Sequence, residues 1–315
     1  MERYPAVSYS PDMGPEFCNG VWTVDCNSWT QFEERMEKFK KYKYLWRGQS
    51  CDDPLRPNIY RDSAPDERTI EEHLSRFRKV AQWGDALEQF LEQAKGTPEY
   101  EGALSTYYEM VCPKRVDHHD PKEIEEHFIH DIFWAIGQHY GLRTPLLDWT
   151  QDPYRALFFA FCSRKEGTGK RVVFGLAEKS RRLLEIGQRP AKRYLELLID
   201  LAFVPKILDS SGSPPVGKEI IRPMFCRIEA QKGIFTRSRA RDDVEKVARR
   251  CYPNFQKEGD IVFLVKLLLP NGVRHDFLRE LERRGITYKT MFPDVYGPDL
   301  SGTVSYCNVK LELSS

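Results

Sequence analysis

Residues Gln138 to Phe161 read QHYGLRTPLLDWTQDPYRALFFAF, and this stretch decides how the fold is predicted. Gly141 is typical of a helix end, because glycine readily adopts the left-handed conformation that follows a last turn. The residues from Pro145 to Trp149 predict a short extended piece. Thr150 or Asp152 can cap a new helix that has proline at its first position. The stretch therefore predicts a helix, a short strand and a second helix in direct succession.

The polar groups of this block lie where the predicted strand meets the second helix. The N–H groups and the dipole of a helix N-terminus favour an anion at such a place. A cap and a core tryptophan would explain an isolated Asp-Trp-Thr without any ligand, so the block needs a second cluster to support a ligand site. The candidate contacts are Arg143, Asp148, Trp149 and Thr150.

The second cluster is Trp46-Arg47-Gly48-Gln49, at the end of a predicted strand from Tyr44 to Trp46. A planar guanidinium at Arg47 suits bidentate recognition of phosphate or ribose. Gly48 permits a close approach of the backbone. On its own, Arg47 is better explained by a surface ion pair with one of the many carboxylates.

Helices dominate the first half of the sequence and short strands appear in the second half. This order, without regular alternation, indicates an α+β fold rather than a doubly wound sheet. Apolar residues recur at helical spacing after the Asn27-Ser28 cap, for about thirty residues from Asp66 with a break at Gly84, and from Pro121 to Tyr140. The later predicted elements are helices at 152–162 and 273–284, strands at 171–177, 223–235 and 260–269, and a loop at 209–218.

Composition excludes several classes of protein. The 315 residues carry 48 Lys and Arg against 47 Asp and Glu, and a formal net charge of +1 argues against a uniformly basic nucleic-acid coat. Eight scattered cysteines without a C-x-x-C pair are typical of reduced thiols in a cytosolic protein. We see neither a secretory signal nor a membrane span, so we expect a cytoplasmic protein with no membrane partner. His127 and His130 lack further ligands at zinc spacing, so we expect no metal.

Together, the two clusters resemble the FRG domain family, which is named for a Phe-Arg-Gly motif. The resemblance covers about Tyr44 to Gly297. It departs from the family at Trp46, where Phe or Tyr is usual, and at Pro145, where Arg is common. The similar motifs are Trp46-Arg47-Gly48, the H-Y-G-L-x-T-x-L-L-D-W-T block at His139 to Thr150, the strand motif at Arg227 to Thr236, and Phe292-Pro293-Asp294 with Gly297.

The FRG pattern in turn resembles the order of parts in ADP-ribosyltransferases. That resemblance implies a split β-sheet core with a helical N-terminal extension at 1–43, a domain at 44–315 and a helical insertion at about 66–135. It also implies NAD as a substrate, with Arg47 and Gly48 at its pyrophosphate and His139 or Tyr140 at its nicotinamide or ribose. The implied NAD contacts are Arg47, Gly48, Gln49, His139, Tyr140, Arg143, Thr144, Trp149 and Thr150.

The implied catalytic residues are Arg47, Asp148, Gln231 and Glu229. Asp148 would polarise the ribose together with Thr150. Gln231 takes the place of a strand residue that holds the ribose 2′-OH, and Glu229, two residues away, would share its strand face. Because Gln231 has no charge to stabilise an oxocarbenium-like transition state, Asp148 is the preferred source of that charge, with Glu229 as the alternative. Gln231 is explained equally well as a buried amide beside the Gly233 turn.

The function implied by the resemblance is an NAD-dependent mono-ADP-ribosyltransferase, in the manner of a bacterial toxin or phage-defence effector. Its acceptor would be RNA, which we favour, or DNA or protein, and an antitoxin or other neutralising protein could grip the helical segment at 66–115. The alternative is a non-enzymatic nucleotide- or RNA-binding module that uses the same cleft. Its footprint would be the basic runs at 237–241 and 249–250, although the interleaved acidic residues favour a solvated helix face instead.

Overall fold

The computed structural model describes residues 17–18, 21–40, 42–61, 65–80, 84–111, 120–139, 141–163, 169–177, 197–200, 203–209, 218–237, 243–251 and 263–293. The chain forms two compact units. The first unit comprises Met1–Leu55, Trp149–Tyr194 and Asp242–Thr290, and the second comprises Arg56–Asp148, Leu195–Arg241 and Met291–Ser315.

The helices and strands are numbered here in chain order. The strands are β1 (Phe17–Cys18), β2 (Val21–Asp25), β3 (Tyr44–Gln49), β4 (Leu146–Thr150), β5 (Arg171–Ala177), β6 (Leu197–Asp200), β7 (Gly233–Arg237) and β8 (Leu264–Leu269). The helices are α1 (Trp29–Phe39), α2 (Glu67–Val80), α3 (Gly84–Ala94), α4 (Pro98–Val111), α5 (Pro121–His139), α6 (Pro153–Cys162), α7 (Phe203–Asp209), α8 (Lys218–Gln231), α9 (Val244–Cys251), α10 (Arg274–Arg283) and α11 (Tyr288–Met291).

The first unit is built on a mixed sheet. Its strands run in the order β1-β2-β8-β5-β3-β4, in which β2 and β8 are parallel and the other neighbours antiparallel. β4 joins β3 where Thr150 faces Trp46. Every residue of β5 is buried, which explains its unbroken apolar run Val172 to Leu176.

Two arginines of the first unit hold the C-terminal end of α6. The Arg171 side chain, fully buried, donates from Nη1 to Ala160 O at 2.6 Å and from Nη2 to Ser163 O at 3.2 Å. Arg274 Nε donates to Phe161 O at 2.9 Å. These bonds satisfy carbonyl groups that have no partner within the helix.

The second unit is mainly helical. Its core joins the inner faces of α2, α3, α5 and α8, and α5 contributes an uninterrupted buried stretch from Asp131 to Gly137. β6 and β7 form an antiparallel pair in this unit. The apolar face of α8 consists of Ile221, Met224, Phe225 and Ile228, all buried.

That face corrects one prediction. Residues 223–235 were predicted as a strand, but only Gly233 to Arg237 form one, and Lys218 to Gln231 form α8 with Pro223 inside the helix. The β-branched and aromatic residues suggested a strand, whereas the buried positions repeat at i, i+3, i+4 and i+7, the period of a helix. Burial of one helical face therefore decides this segment.

Most other predicted elements are confirmed, as is the mixed α+β class. The helices predicted after Ser28, at 121–140, 152–162 and 273–284 correspond to α1, α5, α6 and α10, and the strands at 44–46 and 171–177 to β3 and β5. The helical stretch from Asp66 divides into α2 and α3, with Gly84 as the first residue of α3. The strand expected at 260–269 is observed at Leu264–Leu269, and residues 260–262 and most of the loop at 209–218 lie outside the described residues.

The N-terminal segment 1–43, expected as a helical extension, contains more than its helix α1. It also supplies β2, whose Val21 to Asp25 pair with Leu264 to Leu268 of β8. Among the residues that the structure describes, we find no helix long and apolar enough to span a bilayer.

Candidate functional site

In the second unit, Asp148 of the Asp-Trp-Thr motif is held by a glutamine. Gln138 Nε2 donates a hydrogen bond to Asp148 Oδ1 at 2.8 Å. Because a carboxylate accepts, the NH₂ end of this amide faces Asp148, and the Thr144 hydroxyl donates to Gln138 Oε1 at the other end. Thr144 is fully buried, whereas Asp148 is half-buried. The arrangement fixes the orientation of a carboxylate that solvent can still reach.

Asn58 anchors this arrangement from a distant part of the sequence. Thr144 N donates to Asn58 Oδ1 at 2.7 Å, and Asn58 Nδ2 donates to Leu142 O at 3.3 Å. Asn58 begins a short 3-10 turn, Asn58–Tyr60. No motif in the sequence points to Asn58, and Gln138 lies in the block at 138–161 without a predicted role. Neither residue belongs to a spacing pattern that marks a site.

His139 and Arg143 are placed by contacts of their own. The His139 ring meets Phe235 edge-on at 5.5 Å between centroids, and its carbonyl accepts a hydrogen bond from the Arg227 guanidinium. The carbonyl of Arg143 lies 3.0 Å from Nε2 of the fully buried His73. Burial lowers the pKa of His73 to about 4, so the ring is neutral at pH 7 and donates its Nε2 proton. Tyr140 lies outside the described residues.

Gln231 and Glu229 do not lie on a strand, contrary to prediction. Both belong to the last turn of α8. Residues two apart in a helix are rotated by about 200° around its axis, so Gln231 and Glu229 do not share a face. Gln231 is buried and its Nε2 donates to Met291 O at 3.0 Å, whereas Glu229 is exposed. Lys232, with φ of 47°, then turns the chain into β7. The Gln231 amide thus ties the end of α8 to the backbone of Met291.

In the first unit, Arg47 and Gln49 interact along β3. Arg47 Nε donates to Gln49 Oε1 at 3.4 Å, and Gln49 Nε2 donates to Asp53 O at 3.0 Å. Gln49 is buried and Arg47 is half-buried. Because Gln49 is fixed at both ends of its amide, it restrains the direction of the guanidinium.

Gly48 is explained by packing against α6. A Cβ atom on Gly48 would lie 1.8 Å from Ala156 O and 2.6 Å from Ala160 N. The helix backbone therefore occupies the space that any larger residue would need. The structure accounts for glycine at this position through the helix, independently of any bound pyrophosphate.

The loop after Gln49 is held by Lys266 of β8 and by Asp243, the residue before α9. Lys266 Nζ lies 2.8 Å from Asp52 Oδ1 and 2.9 Å from Glu245 Oε2. Leu55 N donates to Asp243 Oδ1 at 3.1 Å. Burial raises the pKa of Asp243 above its usual value. These bonds give the segment that follows Arg47 a fixed course.

Trp149 and Thr150 lie at the corner between β4 and α6, and each is 3% exposed. Of the two predicted caps, Asp152 is the N-cap residue, with Oδ1 accepting from Tyr154 N at 3.0 Å and Pro153 following. The Thr150 hydroxyl accepts from Asp152 N at 3.1 Å. Both residues therefore have structural contacts that stabilise the start of α6.

Two of the basic residues predicted as a nucleic-acid footprint, Arg237 and Arg249, are ion-paired. Arg237 Nη1 lies 3.2 Å from Asp131 Oδ1, and Arg249 Nη2 lies 2.7 Å from Glu245 Oε1. Residues 238–241 lie outside the described ranges. Within the part of the chain that is described, no group of three or more histidine, cysteine or acidic residues could hold a metal ion.

Comparison with protein families matches residues 42–168 to the FRG domain. This range contains Arg47, Gly48 and Gln49 of the first unit and the whole arrangement of Gln138, Thr144 and Asp148 of the second. No curated protein and no solved structure matches the chain.

Proposed function

This chain carries an FRG domain, and from that premise we propose that it is an NAD-dependent mono-ADP-ribosyltransferase with an ADP-ribosyltransferase-like sheet core. The observation that supports the proposal best is the Asp148 carboxylate, half-buried and oriented by Gln138 and Thr144. A carboxylate in a fixed direction is the group that a developing positive charge on a ribose requires.

In the proposed reaction, the bond between ribose C1′ and the nicotinamide nitrogen of NAD breaks and nicotinamide leaves. C1′ carries positive charge in the transition state, and Asp148 stabilises it. A nucleophilic atom of the acceptor forms the new bond to C1′ and releases its proton to solvent. Gln231 and Glu229 were expected on a strand that holds the ribose 2′-OH. They lie on α8 instead, so they do not fit that role. Asp148 is therefore our single candidate for the charge.

Arg47 is the proposed contact for the NAD phosphates. Its guanidinium is restrained by Gln49, which lowers the entropy lost when it binds an anion. Gln49 and Thr144 then act as positioning residues rather than as direct contacts, because both are buried and engaged. His139 remains the proposed neighbour of the nicotinamide or its ribose.

The test is nicotinamide release and transfer of label from ³²P-NAD to total RNA, DNA or protein. We expect Asp148→Asn and Arg47→Ala to lose both signals. Asp276→Asn and Arg279→Ala are matched controls, because these two residues are exposed on α10, with side-chain exposures of 74% and 64%. Binding of nucleotide by the wild-type chain without nicotinamide release would refute the transferase and favour the non-enzymatic binding module.

We further propose that the acceptor is nucleic acid, with RNA ahead of DNA and protein, and that the enzyme acts as a toxin or phage-defence effector. A transferase of that kind would limit the growth of the cell that expresses it. Expression of the wild-type chain should therefore slow growth, whereas Asp148→Asn should not. A partner that neutralises it would restore growth when co-expressed.

A further inference from the structure

A cavity of about 680 Å³ lies among helices of the second unit. Residues of α2, α3 and α5 and one residue of β7 line it. Its size falls within the range of small-molecule sites in proteins. None of its lining residues belongs to the Gln138, Thr144 and Asp148 arrangement, so it is a separate candidate for ligand binding.

The interior of the cavity combines an apolar floor with nitrogen donors. Ile70, Leu74 and Trp134 are buried and form the apolar part. The half-buried polar side chains are Arg78, His130 and Arg237, with exposures of 27%, 29% and 17%. Each of these three carries N–H donors, and none of them is a carboxylate.

The two guanidinium groups are held in place before any ligand binds. Arg78 stacks over the Phe133 ring at 4.8 Å and pairs with Glu88. Arg237 pairs with the fully buried Asp131, which also accepts a hydrogen bond from the Tyr107 hydroxyl at 2.7 Å. Donors that are already ordered cost little entropy when they bind a ligand.

The carboxylates that line the cavity are all exposed, which places them at its rim. They are Glu71, Asp85, Glu88 and Glu126. Water and salt screen exposed charges strongly, whereas half-buried donors act in a lower dielectric. Arg78 and Arg237 are each paired with a carboxylate, so the interior offers an anion guanidinium N–H donors rather than a net positive charge.

We infer that this cavity binds a small organic anion, in which an aromatic or aliphatic body lies on Ile70, Leu74 and Trp134 and a carboxylate, phosphate or sulfonate group meets Arg78 and Arg237. The inference is independent of the proposed transferase activity, because it involves other residues and a different readout.

The probe is 8-anilinonaphthalene-1-sulfonate, and its uncharged analogue N-phenyl-1-naphthylamine serves as the comparison. Both are titrated into the full-length chain and followed by fluorescence. We expect saturable binding of the sulfonate and binding of the uncharged analogue that is weaker by about tenfold or more, since hydrogen bonds to charged groups contribute that much. Equal binding of the two probes would overturn the anion preference.

Two variants locate the site. Ser75→Trp fills the cavity from an exposed position on α2 and should weaken sulfonate binding by about tenfold or more, whereas Arg68→Trp on the same helix, 87% exposed and outside the cavity, should not. Arg78→Met keeps the contact with Phe133 and should reduce binding of the sulfonate but not of the analogue. Circular dichroism checks that each variant is folded. Sulfonate binding that is unchanged in folded Ser75→Trp or in folded Arg78→Met would refute the site.

Discussion

Thr144 holds the end of the Gln138 side chain that faces away from Asp148, because its buried hydroxyl donates to Gln138 Oε1 while Gln138 Nε2 donates to the carboxylate. Thr144→Val removes that hydroxyl at nearly constant volume and lets the Gln138 amide turn. We expect kcat for nicotinamide release to fall about tenfold to a hundredfold, with KM for NAD little changed, since orientation in the transition state is lost. Steady-state kinetics of nicotinamide release measure both constants.

The matched control is Thr144→Ser, which keeps the hydroxyl and should keep most of the activity. Equal losses in both variants would show that packing of the methyl group, rather than the hydrogen bond, supports Asp148. A rise in KM alone would mean that the arrangement contributes to binding and not to the chemical step.

Gly48→Ala is expected to destabilise the first unit, because its new Cβ would lie 1.8 Å from Ala156 O. The backbone of α6 would have to move away from β3, at a cost of about 3 kcal/mol in the free energy of unfolding. Gly102→Ala is the comparison: Gly102 lies inside α4 with open space around it, so alanine should stabilise by about 0.5–1 kcal/mol. Urea unfolding measures both. A Gly48→Ala chain as stable as wild type would refute the contact.

Because His73 is buried and neutral, we expect the free energy of unfolding to fall in mild acid. Its pKa is about 4 in the folded chain, below the usual 6.5, because burial disfavours the charged ring. Protons therefore bind the unfolded chain first. The contribution of the neutral His73 ring to the free energy of unfolding is fully present above about pH 6.5. It is lost as the pH falls towards 4, by about 3 kcal/mol at most. Urea unfolding at several pH values measures the loss.

His73→Gln isolates this effect from other titrating groups, including His130, whose pKa is also lowered by burial. The Gln side chain can still donate to the Arg143 carbonyl but does not titrate. We expect the free energy of unfolding of this variant to fall less than that of wild type between pH 7 and pH 4.5. Parallel curves for the two chains would contradict a buried neutral His73.

The pair of Arg237 and Asp131 predicts a strongly non-additive double mutant. Arg237→Met leaves the buried Asp131 charge without its cation and should lower the free energy of unfolding by about 3–5 kcal/mol. Adding Asp131→Asn removes the charge and should recover a large part of that loss. Unfolding of the two single variants and the double variant gives the coupling energy. Additive losses would show that the ion pair contributes nothing specific.

Local signals in the sequence predicted the corner at β4 and α6 well. Asp152, Pro153 and the apolar face of α6 act through neighbours in the chain, so a cap and a helix could be recognised there. The segment around Pro223 failed because its Ile, Met and Phe residues suit a strand as well as a helix. This segment forms a helix because its apolar residues pack into the buried core of the second unit.

The support of Asp148 could not be predicted, because it depends on contacts between distant positions. Asn58 and Thr144 are 86 residues apart, and no spacing or motif connects them. Gly48 was interpreted as a place for a ligand because glycine permits any close approach. The sequence does not say whether a phosphate or a helix backbone makes that approach.

The contacts of Arg171 show that the length of α6 depends on residues outside the helix. The helix signals its own beginning through Asp152, but Ser163 at its end has extended backbone, and its last carbonyls are bound by Arg171 and Arg274 from other elements. A peptide of residues 150–166 would therefore keep a defined first turn and fray at its last one. The end of α6 is therefore determined by residues of β5 and α10. A copy of the helix placed in another protein would lack these residues and would not end at the same position.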